Sequence, residues 1–254
     1  SGRIIDPTGE VTDESLDGAV IDIVGGRGVG QIRRIVRREG ESFEIDKPWL
    51  AVPDASSQIV FTAPPPFGPM NIVDNRIENA PINIILWGNS RDIVVDGNYT
   101  ADGPGITVWS IRFKGDQKVW GGAAFTLVCN NTMDRGFSVP DTQEHALDAA
   151  VGFFVRCSKA YDCTAEGYDI LGLVVRDNFV THNTGIGLRV TYTEKQADDT
   201  RTPWRIDDAG MVIEHNHITD SAVGVAVEQG AYVLVRDNVC ENVTWPLTWA
   251  PAGV

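Results

Sequence analysis

The chain has 254 residues and 43% apolar side chains, enough for one large core or two small ones. Its formal charge of −14 argues against nucleic acid and anionic membranes as partners, since both demand a basic footprint. No apolar run approaches the ~20 residues that a helical membrane span needs.

Residues 1–18 are acidic, polar and punctuated by Pro and Gly, and read as a loose lead-in. The sequence opens without Met and without a leader, as expected of a mature form or an excised piece of a longer chain. Ala19 to Val24 reads as a strand and runs into Gly25-Gly26-Arg27-Gly28-Val29-Gly30. The spacing is not G-x-G-x-x-G and no convincing helix follows, so a turn is expected there, not a dinucleotide site. Between Gln31 and Glu39, Arg33, Arg34, Arg37 and Arg38 surround Ile32, Ile35 and Val36. A strand is expected, because Phe43-Glu44-Ile45 alternates after the turn at Gly40. The arginines read as solvated or paired with Glu39, Glu41 and Glu44; binding of an acidic sugar or sulfate is the other reading. Residues 62–70 contain four prolines and read as a rigid extended connection. The expected division is a lead-in with capping strands over 1–62 and a repeat region over 63–254 that continues the same winding.

The repeat is written most clearly as Val174-Val175-Arg176-Asp177-Asn178-Phe179-Val180 followed by Gly185-Ile186-Gly187-Leu188-Arg189-Val190. It returns around Asn216 with Gly224-Val225-Ala226-Val227-Glu228, and around Asn238. More worn copies surround Asn75, Asn98 and Asn131. Self-similarity at a period of this size marks a repeat architecture. Each copy is a short apolar run, a polar turn with Asn, a second short run, then Gly and alternating residues. Runs this short are strands, and three per repeat fit one coil of a wound sheet. Asparagines at one corner stack their amides into a ladder, expected to run Asn75, Asn98, Asn131, Ser158, Asn178, Asn216, Asn238. The intervals are 23, 33, 27, 20, 38 and 22 residues, the long ones being coils with loop insertions.

Through these Asn turns and Gly-φ-x-φ rungs, residues 70–245 resemble the right-handed parallel β-helix group that includes pectate lyases, polygalacturonases and phage tailspikes. The stretch Gly28 to Arg33 with Pro48-Trp49 and Pro53-Asp54-Ala55-Ser56 is similar to segments preceding β-helices in bacterial and phage proteins. The resemblance implies an all-β, single solenoid of about eight coils of ~22 residues. It also implies a secreted or cell-surface protein that acts on a polysaccharide. The chain lacks the Gly-His-Gly and Arg-Ile-Lys of the polygalacturonases.

Alternation points Ile186, Leu188, Val190, Val225, Val227, Ile106 and Val108 inward. Arg189, Glu228, Thr107 and Trp109 then point outward, with Arg189 and Glu228 expected as neighbours on one exposed sheet. A polar insertion over 191–210 springs from its edge, and in the resembled enzymes this sheet and its loops form the saccharide groove. Arg189 would hold a carboxylate or sulfate, and Trp109, Tyr192 and Trp204 would stack on sugar faces, with Arg201 and Arg205 as further binding groups. A lyase needs a base for the proton alpha to a uronate carboxyl and a cation for the developing charge. Lys195, Arg201 or Arg205 could supply these, with Asp198, Asp199, Asp207 or Asp208 holding calcium through oxygen ligands. A hydrolase needs two carboxylates, here Asp207-Asp208 with Glu228. The plainer reading makes Arg189 and Glu228 a cross-strand ion pair and the loop acids solvated. In that case the chain is a glycan-binding or structural module of a cell-surface or phage appendage.

His182, His215 and His217 fall at the Asn corner and read as turn residues; His145, in another insertion, reads as a solvated loop histidine. Cys129, Cys157, Cys163 and Cys240 form no CxxC, which argues against zinc. Buried thiols are expected, with a Cys157–Cys163 bridge as the alternative. The last repeat runs into Trp245-Pro246-Leu247-Thr248-Trp249 with no capping helix after it, so an open edge there would self-associate or receive further chain.

Overall fold

The computed structural model describes residues 3–5, 19–39, 42–62, 66–113, 119–136, 151–159, 170–183, 185–192, 209–227 and 233–249. These residues are all-β, with no helix among them. They fall into two compact units, one within 1–66 and one from 67 onward.

In the first unit, β1 (Arg3–Ile5), β2 (Val20–Gly25), β3 (Ile32–Glu39), β4 (Ser42–Ile45) and β5 (Gln58–Thr62) form one sheet in the order β1-β4-β3-β2-β5. Every pairing in it is antiparallel. Its core gathers Ala19, Ile21, Ile35 and Phe43, with Phe61 tilted against Phe43 at 5.1 Å between ring centres. The strand expected over the arginines is present as β3. Its arginines hold the unit together. Arg33 is buried, donates from Nη2 to Pro48 O at 2.7 Å and from Nε to Lys47 O at 3.1 Å, and lies over Trp49. Arg37 pairs with Glu44 at 3.1 Å and Arg38 lies over Phe43.

The second unit is built from three rows of parallel strands. The first row is β6 (Met70–Val73), β9 (Ser90–Asp96), β13 (Ala123–Cys129), β16 (Ile170–Arg176), β19 (Ala209–Glu214) and β21 (Val233–Arg236). The second is β7 (Arg76–Glu78), β10 (Tyr99–Ala101), β14 (Thr132–Asp134), β17 (Phe179–Thr181) and the first residues of β20 (His217–Val227) and β22 (Val239–Trp249). The third is β8 (Ile84–Trp87), β11 (Ile106–Phe113), β15 (Val151–Lys159), β18 (Ile186–Tyr192) and the later residues of β20 and β22. β12 (Val119–Gly121) adds antiparallel to β11. Apolar residues recur at one register position through every row. Ile72, Val95, Val128, Val175, Ile213 and Val235 form one such column, and they belong to a single continuous core.

The asparagine ladder joins the first two rows. Asn75, Asn98, Asn131, Asn178 and Asn216 each donate their main-chain N–H and their Nδ2–H to Oδ1 of the next, ending at Asn238, over distances of 2.9–3.1 Å. Ser158 is not a rung. It lies in β15 of the third row, opposite Ile111. The stretch from Asn131 to Asn178 is therefore one repeat carrying two insertions, and six repeats are described where the period suggests eight. The buried amides also donate to main-chain carbonyls, as Asn131 does to Val95 O and Cys129 O, which satisfies backbone that a bare corner would leave unpaired.

Both sides of each short second-row strand turn through left-handed backbone. The residues before the ladder asparagines are Asp74, Gly97, Asn130, Asp177, His215 and Asp237, with φ between 53° and 66°. Four residues after them come Asn79, Asp102, Arg135, His182, Asp220 and Asn242, with φ between 50° and 53°. Asn, Asp, His and Gly tolerate this region best, which is why polar residues crowd these corners.

Candidate functional site

The third row carries the residues expected to bind saccharide. Arg189 lies between Phe154 and Ala226 in register, so Ala226, not Glu228, is its cross-strand partner. The period of two predicts which face a residue takes but not which neighbour it meets. The Arg189 guanidinium carbon sits 5.7 Å from the centre of the Phe154 ring. This face is less open than the alternation implies, because Thr107, Phe154 and Ala226 are all buried. Where it opens, it does so at an aromatic pair. Trp109 stacks on Trp87 with ring centres 5.9 Å apart and planes 29° apart, and Trp87 is 58% exposed. Trp87 went unread in the sequence, although Ile84-Ile85-Leu86-Trp87 copies the alternation of Ile106-Thr107-Val108-Trp109 and pairs with it residue for residue.

Tyr192 closes β18, where only its backbone is described, opposite Cys157. Lys195, Asp198, Asp199, Arg201, Trp204, Arg205, Asp207, Asp208 and Glu228 lie outside the described residues, as do His145 and Cys163. The calcium site assigned to Asp198 and Asp199 therefore lies outside them too. Among the described residues, no group of three or more His, Cys, Asp and Glu side chains could hold a metal ion, and no helix is long and apolar enough to cross a membrane.

The corner after the second row holds a network that the sequence did not reveal. Asp134, only 11% exposed at its side chain, accepts from Tyr99 Oη at 3.0 Å, from Arg135 and from His182 Nδ1 at 2.9 Å. Arg135 also grips Asp102 with Nε at 2.8 Å and Nη2 at 2.9 Å. That paired hydrogen bond holds the Asp102 carboxyl below its ordinary value and raises the guanidinium. Because a carboxylate only accepts, Nδ1 carries the proton in the Asp134 contact and Nε2 faces Asp220 Oδ2 at 3.9 Å. Asn242 donates to the other Asp220 oxygen at 2.5 Å and is the first cause that lowers the Asp220 carboxyl. His182 and His215 stand at the turns, as expected, whereas His217 opens β20 and pairs in register with Phe179 and Val239; each of the three lies within 4 Å of a carboxylate.

The described thiols of Cys129 and Cys240 are free. Burial, then the neighbouring Asp96, pushes the Cys129 thiol up to about 11, leaving it protonated and inert at neutral pH. Chemically, the third-row face offers aromatic stacking beside a cation, while the corner network offers charges that already satisfy one another. No protein-family model, curated protein or solved structure matches the chain.

Proposed function

We propose that the three parallel rows are the walls of a right-handed parallel β-helix, and that the protein is a secreted or cell-surface carbohydrate-active protein. The reading that fits best is a polysaccharide lyase or glycoside hydrolase. The observation that carries it is the stacked pair of exposed Trp87 and half-buried Trp109 on the third row, two register positions from the Phe154–Arg189 column. Flat aromatic faces of this kind suit the apolar faces of sugar rings, and the Arg189 guanidinium, two strands further along the same row, suits a carboxylate or sulfate. In the lyase form, Arg189 and the basic residues Lys195, Arg201 and Arg205 neutralise and deprotonate a uronate, with calcium on Asp198 and Asp199. In the hydrolase form, Asp207, Asp208 and Glu228 divide the acid and base roles.

A second reading, a glycan-binding or structural module, is favoured by one observation. The described charged groups beyond the third row largely pair with one another, as in the Asp102–Arg135–Asp134–His182 network. One experiment separates the two. The protein is incubated with acidic and neutral polysaccharides, with and without calcium, and products are read for unsaturated and for reducing ends. Unsaturated ends identify a lyase, and reducing ends alone a hydrolase. Binding without cleavage supports the module. Trp87→Ala and Trp109→Ala should each weaken saccharide binding about tenfold, in line with loss of one stacked ring. Unchanged binding in both would remove the aromatic pair from the site.

A further inference from the structure

The first row breaks its pleat at one register position in four successive strands. Asp92, Phe125, Gly172 and Gly210 hold that position, and all four have left-handed backbone, with φ of 55°, 54°, 64° and 77°. Glycine takes this conformation freely and aspartate tolerates it, whereas a bulky side chain there is a genuine outlier. Phe125 is therefore the odd member, a strained aromatic where the neighbouring coils carry Asp or Gly. Nor does its ring go into the core, because Phe125 is 41% exposed. The ring lies across Gly172, where a Cβ would come within 2.9 Å of Phe125 Cδ1. One coil further on, a Cβ at Gly210 would meet nothing within 4 Å. On the preceding coil the Arg91 guanidinium carbon stands 4.9 Å from the ring centre, and Arg91 Nε lies 3.5 Å from Oδ2 of Asp92, whose side chain is 54% exposed.

We propose that Phe125 is the stacking platform of a second saccharide subsite, on the first row, for a neutral pyranose unit. This rests on the reading that the chain takes a polysaccharide, and adds a face and a sugar class to it. Strained backbone persists where the side chain it presents has a use, and here Asp or Gly would remove the strain at once. The apolar face of a pyranose ring suits the exposed phenyl ring, and its hydroxyls suit the Asp92 carboxylate as charge-assisted donors. Gly172 and Gly210 then leave two rungs, roughly 10 Å, with no side chain at this position, so the adjoining sugar units can lie along bare backbone. The sugar is neutral because the Arg91 charge is already met by Asp92. An acidic unit would instead face that carboxylate on a chain of formal charge −14. In this the subsite differs from the third-row face, where Arg189 suits an acidic group.

Native electrophoresis through gels holding hydroxyethylcellulose, xyloglucan, galactomannan or polygalacturonate tests this. At least one neutral polymer should retard the protein, and Phe125→Gly should weaken that affinity about tenfold, both alone and in the Trp87→Ala/Trp109→Ala background. Phe125→Tyr, which keeps a ring, should retain it. Because glycine relieves the left-handed strain, Phe125→Gly should also melt within a few degrees of the unaltered protein. Neutral-polymer affinity indifferent to Phe125→Gly overturns this subsite and leaves the polysaccharide reading standing. Retardation by polygalacturonate alone overturns the neutral class, and retardation by no polymer overturns the subsite and the polysaccharide reading together. If the glycine variant loses its fold, Asp92→Asn decides, because that side chain is exposed and asparagine tolerates its backbone. It must weaken the neutral polymer severalfold, and unchanged affinity refutes the proposal.

Discussion

Asn131 donates both its main-chain N–H and its Nδ2–H to the side-chain oxygen of Asn178, 47 residues later in the chain, each at 3.0 Å. Both amides are 1% exposed, so water cannot replace either partner. Removing the Asn178 side chain strands two donors and leaves the carbonyls of Val128 and Arg176 without theirs. Asn178→Ala should therefore cost about 3–5 kcal/mol in urea unfolding. Asn75→Ala, at the solvated first rung, should cost about 1 kcal/mol. Equal losses at the two positions would show that burial of the ladder is not what matters.

Gly187 stands where two rows close on one another. A Cβ there would lie 2.6 Å from Ile218 Cγ2 and 3.0 Å from Gly224 O. Ile218 is fully buried and has no space to retreat. Gly187→Ala should destabilise by about 1–3 kcal/mol through overpacking. The check is a double-mutant cycle with Ile218→Ala, which removes Cγ2: Gly187→Ala should cost less in that background than in the unaltered protein.

Acid should weaken the second unit through specific pairs. Hydrogen bonds from Arg135, Arg236 and Asn242 hold Asp102, Glu214 and Asp220 below their ordinary values. A carboxyl lowered by folding adds stability that is complete above its unfolded value, at about 4, and fades as the pH falls through the lower folded value. The melting temperature should thus fall below about pH 4, and Arg135→Gln with Arg236→Gln should flatten that slope. An unaltered slope in the double variant would assign the acid sensitivity elsewhere.

Cys129 and Cys240 should differ under alkylation. Cys129 is 4% exposed and its thiol is pushed to about 11, while Cys240 is partly open. At pH 8, iodoacetamide followed by peptide mass mapping should find Cys240 labelled first and Cys129 labelled only on unfolding. Early labelling of Cys129 would contradict its burial.

The ladder was legible because Asn at a buried corner is chemically constrained, and six of its seven expected members are rungs. Ser158 was misplaced because a 47-residue repeat with two insertions looks like two ordinary ones when only spacing is read. The inward positions of Leu188, Val190, Val225 and Val227 follow from alternation, and all four are buried. Arg189 met Ala226 instead of Glu228 because side-chain period carries no register. The corner network was hidden for another reason. Asn79, Asp102, Arg135, His182, Asp220 and Asn242 share a φ near 50° and a fixed offset of four from the ladder, but no common side-chain chemistry. Most of the expected catalytic residues sit in insertions whose lengths follow no period.

Because each rung bonds only to its neighbours, the ladder has a distinctive mechanical character. Tension applied at the last strand loads the Asn216–Asn238 bonds before any others, so repeats should peel away singly and in order. Each event frees a length set by the spacing of successive asparagines. The 22 residues to Asn238 amount to about 75 Å of extended chain, and the 47 between Asn131 and Asn178 to about 160 Å. A single-molecule extension trace would then read the insertions directly, as unequal steps in a fixed sequence.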